Sequence, residues 1–160
     1  MDSPIKDIKG WSGSEWGMDR DKLLYLFDGE INILDEREDK GGDTYWELFI
    51  DELKIHNFTF KVIFYMSKEK DELIDVLLEP VDVDMTGFAS QLNRLLSKKY
   101  GTGRFDYILN ISYTYYWVFP STLITLRNVT TYPENVTLRY EDFKYKKEKQ
   151  GDYLKWSGLV

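Results

Sequence analysis

The sequence contains no cysteine and a single histidine, His56, in 160 residues. Without thiols there is no disulfide framework, no thiolate nucleophile, no iron–sulfur cluster and no Cys-ligated zinc. One imidazole excludes every site that needs two. No apolar stretch approaches the ~20 residues required to span a bilayer as a helix. The opening Met1-Asp2-Ser3-Pro4-Ile5-Lys6 lacks the basic, then apolar, then small-residue order of a signal peptide. The chain is therefore expected to be either cytoplasmic or a mature part whose targeting segment has been removed.

Aromatic residues are what the sequence has in abundance: 5 Trp, 12 Tyr and 9 Phe. That content excludes intrinsic disorder, which is poor in aromatics because such chains cannot offset their ordering entropy. A chain of this length forms one domain that buries roughly 70% of its unfolded surface. The formal net charge of −7 repels a polyphosphate backbone, so nucleic acid is not an expected partner. The basic run Lys144, Lys146, Lys147 and Lys149 is interleaved with Glu141, Asp142, Glu148 and Asp152 and reads as a solvated segment.

Residues 1–18, with Gly10, Gly13 and Gly17 around Trp11 and Trp16, read as an extended lead-in with two aromatic anchors. Asp19 is a good N-cap for a short helix whose stripe is Leu23, Leu24, Leu26 and Phe27 and which Gly29 ends. Asp35 to Thr44 carries no apolar residue and is expected to be a solvent loop. Tyr45 to Ile50 and Leu53 to Met66 are dense in β-formers, and Phe58, Phe60, Val62 and Phe64 recur with the period of two of a sheet with one buried face. Ser67 to Asp71 makes a polar turn into a strand from Glu72 to Leu78, the clearest hairpin in the chain. Pro80 ends that strand, and Asp84 is expected to cap a second helix through Met85, Phe88, Leu92, Leu95, Leu96 and Tyr100. Lys98 and Lys99 suit its negative C-terminal end, and Gly101 its C′ position. Phe105 to Phe119, Thr122 to Asn128 and Asn135 to Tyr140 supply further strands. From Phe143 the chain reads as a charged tail.

Helix, about three strands, helix, about three strands: this order predicts an α+β domain over 19–142. Its antiparallel sheet has about six strands, with two helices packed on one face, and it suggests a worn duplication.

Trp16-Gly17-Met18, the Phe58 to Met66 strand, Leu92 to Lys99-Tyr100-Gly101, Trp117, Thr122-Leu-Ile-Thr-Leu126 and Val136-Thr-Leu-Arg-Tyr140 together resemble a family of small bacterial envelope proteins. Its members share a Trp-Gly-Met lead-in, a helix closing on Lys-Tyr-Gly and a Thr-x-Ile-x-Leu strand. The resemblance spans most of residues 11–140 and implies a periplasmic or lipoprotein-type location. It brings no activity and no catalytic residues. The charged stretch around Glu36 to Asp43 and the lack of a lipid-accepting cysteine depart from that pattern.

Candidate chemistry is sparse. Asp82-Val-Asp84-Met-Thr86 after Val76-Leu77-Leu78 is similar to the first motif of haloacid-dehalogenase-like phosphotransferases and would make a Mg-dependent phosphohydrolase. That chemistry also needs a magnesium site, a phosphate-holding lysine and a parallel sheet. Helix capping accounts for the same residues. His56 has no Ser-x-Gly elbow to serve. Gly101-Thr-Gly103-Arg104 follows a helix, whereas a phosphate cradle opens one. Asp35, Glu36, Glu38, Asp39 and Asp43 lack the order of a calcium loop. Asn57, Asn110, Asn128 and Asn135 stand in Asn-x-Ser/Thr patterns, which would mark glycosylation in a secreted eukaryotic protein and otherwise serve as turn chemistry.

The informative segment is aromatic. In a strand, Tyr113, Tyr115, Trp117 and Phe119 share one face, and Thr114, Tyr116 and Val118 the other. One face fills the core, and exposed Tyr and Trp on the other would be material for a binding surface. Tyr113, Tyr115, Tyr116 and Trp117 are the expected binding residues. The sequence thus predicts a non-enzymatic envelope module that uses an aromatic sheet face for a protein partner or small ligand. No catalytic residue, metal or cofactor is assigned, and a purely structural domain is the remaining alternative.

Overall fold

A computed structural model describes residues 5–156. The lead-in runs to α1 (Arg20–Leu26), followed by β1 (Asn32–Gly41), β2 (Thr44–Ile55), β3 (Phe58–Ser67) and β4 (Leu73–Pro80). Next come α2 (Phe88–Tyr100), β5 (Arg104–Ile108), β6 (Ser112–Val118), β7 (Thr122–Val129), β8 (Asn135–Asp142) and α3 (Phe143–Trp156). The strands form one open antiparallel sheet in the order β1-β2-β3-β4-β8-β7-β6-β5. Two four-strand meanders, each preceded by a helix, therefore meet edge to edge at β4 and β8.

The α+β class and antiparallel sheet agree with the sequence, but the sheet has eight strands where about six were expected. One extra strand is β1, which occupies the stretch read as a loop. Its residues are almost all exposed, so hydropathy gives no sign of it. It forms because β2 offers an unpaired edge, and its own irregular register, shifted after Ile33 and after Asp39, keeps it short of a regular ladder. Arg37 lies over the Tyr45 ring, 3.9 Å from its centroid, and Lys68 pairs with Asp39 at 2.6 Å. The other extra strand comes from the segment Phe105 to Phe119, which folds back on itself at Asn110.

Local chemistry explains the helices. Asp19 accepts a hydrogen bond from the Lys22 amide at 2.9 Å, capping α1 as expected. Gly87, not Asp84, is the N-cap of α2, while the Asp84 side chain accepts from the Thr86 amide in a local turn and so stands outside the helix. Gly101 closes α2 with φ +90°, a conformation a side chain would strain. The segment from Phe143, read as a tail, is instead a third helix. Phe143 anchors it by packing with Leu123 on the back of the sheet, and Lys146 pairs with Glu141 at 2.8 Å. Residues 1–4 of the lead-in and 157–160 of the C-terminal segment lie outside the described residues.

α1 and α2 share one face, and the main core lies beneath them. Leu23 of α1, Phe27 at its C-cap, and Phe88, Leu92 and Leu96 of α2 meet Phe60, Val62, Phe64, Val76, Leu78, Ile124, Leu126, Val136, Leu138 and Tyr140 of the sheet. A bulge between Trp46 and Leu48 lets Tyr45 and Leu48 both turn toward this core. The lead-in is anchored as its aromatics predict: Trp11 is buried and Trp16 Nε1 donates to Thr122 Oγ1 at 2.8 Å. At the centre the sheet is buried on its back as well, where Ile63, Tyr65 and Leu77 form a second, smaller cluster with Trp46.

Phe64 is fully buried and packs between Trp11 and Phe27, with ring centroids 6.0 and 5.4 Å away. Phe64→Ala is expected to cost ~3–5 kcal/mol of stability, the usual cost of emptying an aromatic core position. Denaturant unfolding of the variant beside the parent chain measures it.

Candidate functional site

β5 is the last strand of the sheet, and the cover on its helix side runs out before it. α2 packs against β7, so rings on that face pass from enclosed to open as the sheet continues outward. Trp117 is buried, with Nε1 donating to the Gly101 carbonyl at 2.8 Å. A Cβ at Gly103 would stand 2.8 Å from the indole. Gly101-Thr102-Gly103 is therefore a helix stop and a seat for Trp117.

Pairing of Phe105 with Tyr115 and of Tyr107 with Tyr113 puts all four rings on the face of Trp117. They form a continuous series: Trp117 to Tyr115 at 6.4 Å, Tyr115 to Phe105 at 5.1 Å, and Phe105 to Tyr113 and Tyr107 at 6.0 and 5.9 Å. Phe105, Tyr107 and Tyr113 are 48%, 58% and 45% exposed. The end of β5 and the turn to β6 add exposed Ile108, Leu109 and Ile111. It is held by the Ile111 amide donating to the Ile108 carbonyl at 2.9 Å, with Asn110 at φ +61°.

The expected binding residues thus fall into three environments. Tyr113 is exposed and Tyr115 half-buried in the ring series; Trp117 is its core end; Tyr116 points to the back of the sheet, packed near Leu123 and Phe143. Phe105 and Tyr107 join the site although the sequence reading passed over them. Their spacing of two directly after the glycine-rich turn was the available signal.

The other candidates are placed separately. Asp82 and Asp84 are both exposed in the turn region before α2, Asp82 with φ +51°. His56 lies in the β2–β3 turn with φ +54°. Among the described residues, no three His, Asp or Glu side chains gather as a metal site. Asn57, Asn110 and Asn135 are exposed at the end of the sheet that carries the β5–β6 turn, while Asn128 is half-buried with its Oδ1 enclosed.

Behind the β4–β8 seam lies a buried charged pair. Asp75 Oδ1 and Arg139 Nε stand 3.5 Å apart, both atoms enclosed and neither in a hydrogen bond among the described residues. At that separation attraction does not repay desolvation, so burial pushes the Asp75 carboxyl up to about 8 despite Arg139, with Glu141 adding to the rise. Burial also lifts the neighbouring Tyr65 phenol to about 12. A carboxyl raised above its unfolded value of about 3.9 binds a proton that the unfolded chain releases. Its stabilising contribution is therefore complete below about pH 4 and is lost as pH rises toward 8. Unfolding free energy is expected to fall across that window as pH rises. Asp75→Asn, neutral throughout, is expected to flatten the slope in denaturant titrations at pH 5 and pH 8.

No protein-family model, curated protein sequence or solved structure matches the chain.

Proposed function

We propose that this chain is a non-enzymatic interaction module that receives an extended segment of a protein partner along β5. The envelope location is carried into this reading from the family resemblance. The single observation that carries it is the contrast between the two edges of the sheet.

Strand edges invite pairing, and proteins blunt them with charge and irregular register. β1 has both, with Asp35 to Lys40 all charged and two register shifts. β5, its counterpart in the second meander, presents Phe105 and Tyr107 instead. If the halves descend from a worn duplication, one edge has been closed and the other left open. A partner strand on β5 would gain main-chain hydrogen bonds and would set alternate side chains against the Phe105, Tyr107 and Tyr113 rings. Aromatic rings of this kind lose little conformational entropy on binding.

Selection of random peptides on the immobilised chain is expected to return sequences of alternating aromatic or β-branched residues. Their binding is expected to be lost in the Phe105→Lys, Tyr107→Lys double variant and kept in Glu36→Lys on the opposite edge. Peptides that bind both variants equally would overturn the reading.

A further inference from the structure

α3 does not seal the back of the sheet. Between it and the β4–β8 seam is a cleft of about 230 Å³, smaller than the ~300–1,000 Å³ of drug-sized sites and suited to a ligand of a few heavy atoms. We propose that it binds a small monovalent carboxylate, held by Arg139 together with Tyr65 and Lys40.

The polar groups on this cleft outnumber the partners they have. Arg139 Nε and Asp75 Oδ1 are enclosed 3.5 Å apart, neither in a hydrogen bond among the described residues. The Tyr65 hydroxyl has no hydrogen-bond partner among those residues either. Lys40 of β1 is exposed on the same lining, 5.8 Å from the Tyr65 ring centroid and in no ion pair among the described residues. Three donors thus face one space, and an acceptor that enters it relieves the cost of leaving them unmet.

The other charged groups on the lining are already matched. Glu141 pairs with Lys146 at 2.8 Å, and Lys149 with Asp43 and Glu69 at 3.4 and 3.5 Å. Asp142 accepts from the Tyr145 amide at 3.1 Å, and the Tyr145 hydroxyl donates to Asp43 at 3.2 Å. Asp75 is the remaining acid. Burial pushes its carboxyl up to about 8, so near neutral pH it is mostly uncharged and leaves the guanidinium without a full counter-charge. One negative charge from a ligand restores the balance, whereas a second would face Glu141 and Asp142. Ile74 on the lining gives a short alkyl chain an apolar wall. A bound anion also favours the neutral form of Asp75, so binding takes up a proton wherever that group is ionised in the free protein. Affinity is therefore level below about pH 8 and falls above it.

Acetate is the probe, titrated into the full chain at constant ionic strength against chloride, with amide shifts in nuclear magnetic resonance spectra as the readout. Saturable one-to-one binding is expected, roughly millimolar for so small a ligand, with shifts centred on the β4–β8 seam and α3. Methylammonium is expected to give none. Affinity is expected to drop about fivefold from pH 6 to pH 9 in the parent and to stay level in Asp75→Asn. Lys40→Gln with Tyr65→Phe changes one exposed cation and one hydroxyl, and is expected to keep the parent unfolding midpoint while losing about tenfold in affinity. Absence of saturable shifts, as for a cleft that holds water only, would overturn the proposal. So would equal shifts with methylammonium, parent affinity in the double variant, or an affinity in the parent that ignores pH. None of these outcomes bears on the β5 edge, whose peptide binding is read separately.

Discussion

The antiparallel pairing of β4 with β8 joins the two halves of the molecule into one sheet, and every other feature is arranged around it. It aligns Val76 with Tyr140 and Leu78 with Leu138, so the faces of the two meanders meet in phase and a single core extends beneath both helices. Register has little freedom here. A slip of one residue would turn Val76 and Leu78 out of the core and bring Asp75 and Leu77 into it. The hydrophobic period on both strands forbids that exchange.

The same pairing has a cost on its other side. Leu77 lies opposite Arg139 and Asp75 opposite Glu141, which gathers two carboxylates and a guanidinium behind the seam. α3 closes over them, held by Phe143, the Lys146–Glu141 pair, and Lys149 with Asp43 and Glu69. The third helix therefore does on the back of the sheet, with charge, the Phe143 ring and the Tyr145 hydroxyl on Asp43, what α1 and α2 do on the front with apolar surface. That difference in means explains why it was read as a tail. A Lys-rich segment shows no apolar stripe, and its anchor, Phe143, stands at its first position.

What was legible in the sequence follows from burial. β3, β4, β7 and β8 carry period-two apolar patterns because each has a face in the core, and α2 shows its stripe through Phe88, Leu92 and Leu96 for the same reason. β1 escaped notice because an edge strand gains its place from backbone pairing, which leaves no trace in hydropathy. The candidate site was half legible for a related reason. Alternation placed Tyr113, Tyr115 and Trp117 on one face correctly, yet it could not say where along that face the helix cover stops. That limit depends on where α2 sits across the sheet, and it divides buried Trp117 from exposed Tyr113.

The exposed rings follow from one structural fact, that α2 is too short and too central to cover a sheet of this width. Its thirteen residues span about 20 Å at 1.5 Å per residue. Four strands to a half, at about 4.8 Å spacing, leave rings on β5 beyond its reach. A longer or more tilted α2 would cover those rings. The aromatic edge is thus a consequence of one helix placed over the centre of a wide sheet. Trp117, tied to Gly101 at the end of α2, fixes where that helix stops and where the exposed rings begin.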